Sequence, residues 1–508
     1  MVKDKLTISS EVSSKEIKNA VDIDFALNVA GMGWYNIRYA LNLALFLIAA
    51  IIEPVGYSYV LPAAKCDLQM TDTQRGVIGS VPYIGIVLTS FPWGYLVDTK
   101  GRKKMIIISS LMAGALGVLS AFMPDLISFV VLKSLMSLCI ACPAAVPYSY
   151  IGEIIPGRYR DITLSVTNAM QICGSALVPL FAWAILPLEF RIDFGSYYFR
   201  PWRLLTIIYA LPFIISACLL AFGPESPKYL MSQGKHDESL QVLRTIYSSN
   251  KRKPPDDYPV KRLLMPESEE TKKPSFFKSL VNQSVPLLKP PYLKWMALNG
   301  ILLFGIFSTL NGLYMWLPDV LNRVLTGGGH EQTACQVIAQ RLNETQANAE
   351  CDDQIDKMTF MINAIANLSC AIIAVGVSSL VKIIGKKVLL IAVYLVIGVC
   401  CIMINFVTQQ ALFAILLSSL PITGLAIGPV NAYAVEIFPT QLRGMAVSLS
   451  MMLGRTGSII GTNVAGILIN AACEITFYGF GGLLILCAAL SLLLPRAKRP
   501  AEPMSSTL

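Results

Sequence analysis

The sequence predicts an all-α membrane protein of twelve transmembrane helices in two six-helix groups. Three observations predict it. The 508 residues have a mean hydropathy of +0.59, are 54% hydrophobic and only 14% charged, whereas soluble domains carry about 25% charged residues. Several apolar runs reach the ~20 residues that cross a bilayer. The chain also repeats itself across its two halves. The net charge of +9 follows from where the basic residues lie and does not imply nucleic acid. Residues 1–33 hold no compact apolar core of the signal-peptide kind, and no myristoylation or prenylation signal is expected.

Taken in order, residues 1–36 read as a loosely ordered cytosolic tail. Twelve spans are expected at roughly 37–62, 74–97, 104–123, 126–151, 162–186, 203–223, 292–317, 357–381, 387–407, 411–435, 444–470 and 474–494. The domains are then an N-terminal bundle, 37–224, a cytosolic linker, 225–291, a C-terminal bundle, 292–495, and a cytosolic tail, 496–508. Thr71-Asp-Thr-Gln74 has capping-box spacing and suits the entry to the second span. Between the second and third spans lies Gly94-Tyr-Leu-Val-Asp98-Thr-Lys-Gly101-Arg102-Lys103-Lys104, a very short turn. Gly94 is expected to admit a neighbouring helix closely, and Gly101 to supply a left-handed backbone. Asp98 sits at the wrong end of its helix dipole and needs a partner, such as a nearby Arg.

Lys and Arg set the orientation. With the N-terminus inside, cytosolic segments hold 30 of them and outer loops 8; Arg38, Lys133 and Arg455 lie in or at the edge of spans. That asymmetry places both termini inside. The linker starts Pro224-Glu-Ser-Pro-Lys228-Tyr-Leu230, and Lys235–Tyr247 reads as a short amphipathic helix.

The repeat is read at the span ends. Tyr150-Ile-Gly-Glu153-Ile-Ile-Pro156-Gly-Arg-Tyr-Arg160 recurs as Tyr433-Ala-Val-Glu436-Ile-Phe-Pro439-Thr-Gln-Leu-Arg443, with Tyr, Glu, Pro and Arg at identical spacing. Ser378-Ser-Leu-Val-Lys382-Ile-Ile-Gly385-Lys386-Lys387 is a worn copy of the Gly94–Lys104 turn. Parallel duplication of six helices marks a large class of transporters.

The Gly94–Lys104 turn resembles the loop between helices 2 and 3 of the major facilitator superfamily. Pro224-Glu-Ser-Pro-Lys228 is similar to the element after helix 6 of its sugar and organic-ion transporters. Val60-Leu-Pro62 with Glu53 upstream, and Met315-Trp-Leu-Pro318-Asp319, resemble the synaptic vesicle glycoprotein 2 branch. The loop between spans 7 and 8 is shorter than in that glycoprotein. Ala50 also stands where it carries a second acid. The hexose transporters' paired glutamines of helix 7 are missing, which weighs against a simple sugar. The resemblance implies a secondary transporter working by alternating access on a small organic ion. It also leaves open a transporter-fold vesicle protein acting as a scaffold or receptor. No nucleotide loop, nucleophile constellation or metal-ligand spacing points to an enzyme, a cofactor or a metal.

Of twelve cysteines, Cys139, Cys142, Cys173, Cys218, Cys370, Cys400, Cys401 and Cys487 lie in spans and Cys66, Cys335, Cys351 and Cys473 near the outer face. Cys335 and Cys351 flank the sequon Asn343-Glu-Thr345. A Cys335–Cys351 disulfide and glycosylation of Asn343 are expected there.

Ionisable groups within a bilayer are costly and face a cavity or each other. Glu53, Lys133 and Arg455 stand out. Glu53 precedes Pro54, which should kink the first span. Glu53 and Lys133 lie at similar depth, roughly 10–14 Å from the outer boundary. Their pairing resembles the acid in helix 1 and Arg in helix 4 of proton-coupled sugar symporters. Two readings stand: a proton site, or a static ion pair holding the outer gate. Arg455, near the middle of span 11, suits a carboxylate or other anionic substrate, or a carboxylate of its own half. Tyr57, Tyr148, Gln171, Asn311, Tyr314, Trp316, Asn363 and Asn463 are further polar and aromatic candidates for the cavity. Helix-packing contacts compete with ligand contacts at each. Asp98, Arg102, Glu153, Arg160, Glu436 and Arg443 are the expected gating charges at the cytosolic ends. The expected partners are a small organic ion, a proton and the lipid bilayer, with the protein a monomer in the plasma membrane or an intracellular vesicle membrane.

Overall fold

Apolar runs become helices wherever the backbone must satisfy its own hydrogen bonds in lipid. The computed structural model describes residues 20–195, 197–264, 284–327, 332–348 and 354–495. Among them, eleven helical stretches are long and apolar enough to cross a membrane. Spans 1 to 6 are Trp34–Ala64, Asp72–Lys100, Arg102–Ser120, Leu126–Ile154, Gly157–Ile185 and Pro201–Ala221. Span 7 is Leu293–Thr326, and spans 9 to 12 are Lys386–Phe406, Gln410–Ile437, Thr440–Ala471 and Cys473–Ser491. The expected eighth span is the helix Lys357–Ile384, whose apolar stretch is Lys357–Ile373.

These helices are inverted relative to a soluble bundle. In span 3, Ser109, Ser110, Ala113, Gly114, Gly117 and Ser120 are buried, while Leu111, Met112 and Leu119 are exposed. Lipid solvates the large side chains, and small ones let backbones approach. A Cβ on Gly117 would lie 2.7 Å from the Ala210 Cβ of span 6.

The chain forms two compact units. The first takes residues up to 56, 88–178 and 190–274; the second takes 57–87, 179–189 and 275 onward. The boundaries fall within spans 1, 2 and 5 as well as in the linker. One end of each of those three helices is therefore grouped with the second half of the chain.

In the first unit, the turn after span 2 behaves as its glycine requires: Gly101 has φ +108°. Asp98 finds Arg102 at 3.2 Å. Gly94 does not do what was expected of it. It is exposed and a Cβ there would meet nothing within 4 Å, so no helix seats against it. Span 1 runs as one helix through Pro54. The expected loose tail is also corrected from residue 20 on. Asp22 caps the helix Ile23–Ala30, whose Ala26, Leu27 and Ala30 are buried. The linker helix His236–Lys251 covers the same cluster with Leu243, Ile246 and Tyr247. Tyr258 donates to the Ala26 carbonyl at 2.7 Å, and Asn250 to the Gly31 carbonyl at 2.9 Å.

In the second unit, the Thr71–Gln74 capping box forms in both directions, at 2.9 and 3.2 Å. Span 7 is irregular at mid-length: Ser308–Leu313 is a wide π turn and Tyr314–Trp316 a tight 3₁₀ turn, between the helices Leu293–Phe307 and Leu317–Thr326. Such turns are frequent at functional sites.

The disulfide expectation was wrong. Cys335 is bonded to Cys473, across 138 residues. Cys335 opens the helix Ala334–Asn348, and one helix of that length carries the chain roughly 22 Å. Residues at its two ends cannot meet, because a disulfide needs Cα atoms within about 7 Å. Cys66 is disulfide-bonded as well. Cys351 and the side chain of Asn343 lie outside the described residues.

Candidate functional site

In the first unit, spans 1 and 4 carry the buried pair. Glu53 and Lys133 form an ion pair and are 1% and 3% exposed. Gly56, one turn beyond Glu53, takes the ring of Tyr209 directly against its backbone, and Tyr209 donates to the Val178 carbonyl at 2.8 Å. The Lys133 ammonium also lies 5.9 Å from the Phe129 ring. Charge is thus compensated within the pair, as a buried ion pair requires. Well away from the pair, roughly 22 Å further along span 4 at 1.5 Å per residue, Tyr148 donates to Gln171 of span 5 at 2.5 Å.

Arg455 of span 11, in the second unit, has a different environment. No carboxylate among the described residues lies within 4 Å of it, and the expected partner acid of its own half is not there. Tyr83 of span 2 is the neighbour that interacts with its charge. Gly454 and Gly457 press span 11 against Phe307 and the Phe304 backbone of span 7. Arg455 itself is partly exposed.

The polar candidates of the second unit sort themselves. Asn311, in the π turn, donates to Ser458 at 3.0 Å. Tyr314 and Asn367 exchange hydrogen bonds at 2.8 to 3.0 Å. Asn363 is 1% exposed, and its amide nitrogen has no partner. Tyr57 is buried. Asn463 is spent on its own helix, donating to the Ile459 carbonyl at 2.8 Å. Trp316 donates to the Thr462 carbonyl at 3.1 Å and stacks under Arg75.

The sequence-matching description of the Major Facilitator Superfamily covers residues 26–339 and 354–507. The chain belongs to the Major Facilitator Superfamily. Synaptic vesicle glycoprotein 2C of Mus musculus is 28% identical over 344 residues, 63% of this chain and 47% of that protein. Synaptic vesicle glycoprotein 2B of Rattus norvegicus is 24% identical over 336 residues, 62% and 49% of the two chains. The chain spans about half the length of these relatives. The partially occluded inward open structure of the xylose transporter XylE from E. coli superposes with a TM-score of 0.64. It is 14% identical over 90% of this chain and 99% of that one. A D-xylose-proton symporter structure also gives 0.64, at 16% identity, covering 92% and 99%. At such identities the likeness is one of fold.

The facilitator duplication is visible in side chains. Arg102 follows Gly101 and pairs with Glu153 at 2.9 Å; Lys386 follows Gly385, also left-handed at φ +89°, and pairs with Glu436. These are equivalent residues of the two halves. Glu153 also accepts from Ser226, the cap of the linker helix Pro227–Ser232. Arg160 and Lys228 reach Asp24 at 2.9 and 2.7 Å. Partial burial pushes the Asp24 carboxyl up, but those two cations outweigh it and hold it below the usual range. The Nε atoms of Arg160 and of its counterpart Arg443 are both unpartnered among the described residues.

Sequence reasoning missed one group altogether. Asp72 and Arg75 of span 2 meet Asp319 and Arg323 of span 7 and Asn470 of span 11, all in the second unit. Pairs spaced three and four residues apart near span ends were the available signal.

Proposed function

We propose that this facilitator protein is a secondary active transporter of a small organic anion, working by alternating access, with a proton coupled through Glu53. Both termini and the linker lie in the cytosol on this reading, and the Asp72 end of the bundle faces outside. The observation that carries the anion assignment is Arg455, a cation within a span that has Tyr83 and, among the described residues, no carboxylate beside it. An unpaired cation in low dielectric is unfavourable, so an anionic guest would be bound where the protein supplies no counter-charge. Asn311, Tyr314 and Asn363 would supply neutral hydrogen bonds, and Tyr57, Tyr148, Gln171, Trp316 and Asn463 would shape or brace the site. A proton on Glu53 would release Lys133, and that change would be tied to which face is open. Asp98, Arg102, Glu153, Arg160, Glu436 and Arg443 would hold the cytosolic ends.

The test is uptake by purified protein in liposomes, with and without a pH gradient, comparing organic anions with organic cations. Arg455→Ala should abolish anion uptake and leave the folded protein intact. Cation uptake that survives Arg455→Ala would sink the anion assignment. Failure to move any solute would favour the scaffold or receptor reading, which draws on the likeness to synaptic vesicle glycoproteins.

A further inference from the structure

We propose that Asp72, Arg75, Asp319 and Arg323 form a re-openable latch that shuts the outer face. The inference rests on the orientation and alternating access proposed above.

Arg75 is 1% exposed and lies between Asp72, at 2.9 Å, and Asp319, at 3.2 Å, with the Trp316 ring 4.6 Å away. Arg323 holds Asp319 at 2.9 Å and Asp72 at 3.5 Å. Asn470 donates to Asp72 at 2.5 Å and accepts from Arg323 at 2.8 Å. Two acids and two guanidiniums therefore close a ring between spans 2 and 7, joined by Asn470 of span 11 and by Lys65, which lies 3.1 Å from Asp72. Just beneath, the backbones touch: a Cβ on Gly466 of span 11 would lie 3.4 Å from the Gly76 Cα of span 2.

The spacing within each helix gives the ring its character. Asp72 and Arg75 are three residues apart on span 2; Asp319 and Arg323 are four apart on span 7. Parting the helices breaks Arg75–Asp319 and Arg323–Asp72 but leaves each helix with its own neutral pair. No charge is orphaned on opening, and water replaces the lost contacts. Ion pairs that are buried when closed and hydrated when open come near to balance. A seam of leucines would instead lose its burial outright. The cluster is suited to closing in one register and letting go again.

The experiment uses the full chain in liposomes carrying Thr462→Cys. Thr462 is fully buried on span 11 and faces Gly79 of span 2, just inside the latch. The labelling rate by a membrane-impermeant maleimide from outside is read, less that of the parent protein; no substrate is involved, so it is independent of the uptake result. Exchanging the charges of one helix only, by Asp72→Arg with Arg75→Asp, keeps its internal pair but opposes like charges across the seam. That variant should label at least tenfold faster. Adding Asp319→Arg with Arg323→Asp restores the four pairs of the ring and should return labelling to the starting rate. Every variant also carries Lys65→Met, because Lys65 otherwise pairs with Asp72 and would repel an arginine there. Unchanged labelling in the first variant, with the protein still monodisperse, would overturn the latch. So would fast labelling that the four-fold exchange fails to reverse, since the effect would then be general damage.

Discussion

Two regions of the molecule, one in each unit, treat charge within a span in opposite ways. In the first unit Glu53 and Lys133 cancel each other at 1% and 3% exposure. In the second, no carboxylate among the described residues lies beside Arg455, and Tyr83 is the neighbour that interacts with its charge. A closed pair is complete as it is, and its use is to be interrupted. A lone cation is incomplete, and its use is to be filled. One duplicated fold thus separates the group that can be switched from the group that can be occupied.

The sharpest way to break this comparison is Lys133→Met. It strands a carboxylate in an apolar place, so stability should fall by about 3–5 kcal/mol, read as a lower unfolding temperature in detergent. Combining it with Glu53→Gln should recover much of the loss. A single variant as stable as the parent would mean that the pair is not buried in the folded protein.

Arg455→Met should behave in reverse. Nothing is stranded, so the unfolding temperature should hold or rise, while apparent affinity for organic anions should fall roughly 10- to 100-fold, the worth of hydrogen bonds to a charged group. A stability loss matching that of Lys133→Met would erase the distinction between the two regions.

Glu53→Gln alone sharpens the switching role. Accumulation driven by a pH gradient should vanish while exchange of labelled for unlabelled anion continues. Equal loss of both would make the pair a fixed brace. The smallest effect is expected of Tyr83→Phe, which removes one hydroxyl beside Arg455. About 1 kcal/mol, or a few-fold in anion affinity, should be lost, with no change in proton coupling.

Much of the fold was legible in the sequence because lipid imposes one rule on every span. Apolar runs fixed the helices, and Gly101 and the Thr71–Gln74 box fixed particular turns. The pairing of Glu53 with Lys133 was also readable, since two costly groups at one depth have few other partners. What escaped were relations between distant segments. Asp72, Asp319 and Asn470 look like ordinary loop-end polar residues until three spans bring them together. Cys335 and Cys351 looked like neighbours because the intervening segment was read as a loop; as a helix it holds its ends apart. Gly94 misled for the same reason, because its neighbours in space are not set by its neighbours in sequence.

The wide turn at Ser308–Leu313 has a mechanical consequence. It stores one residue of slack in the middle of span 7, and one residue of an α-helix is about 100° of rotation. Were that segment to tighten into regular helix, Trp316, Asp319 and Arg323 would swing around the axis together, carrying their charges off Asp72 and Arg75 without any domain having to slide.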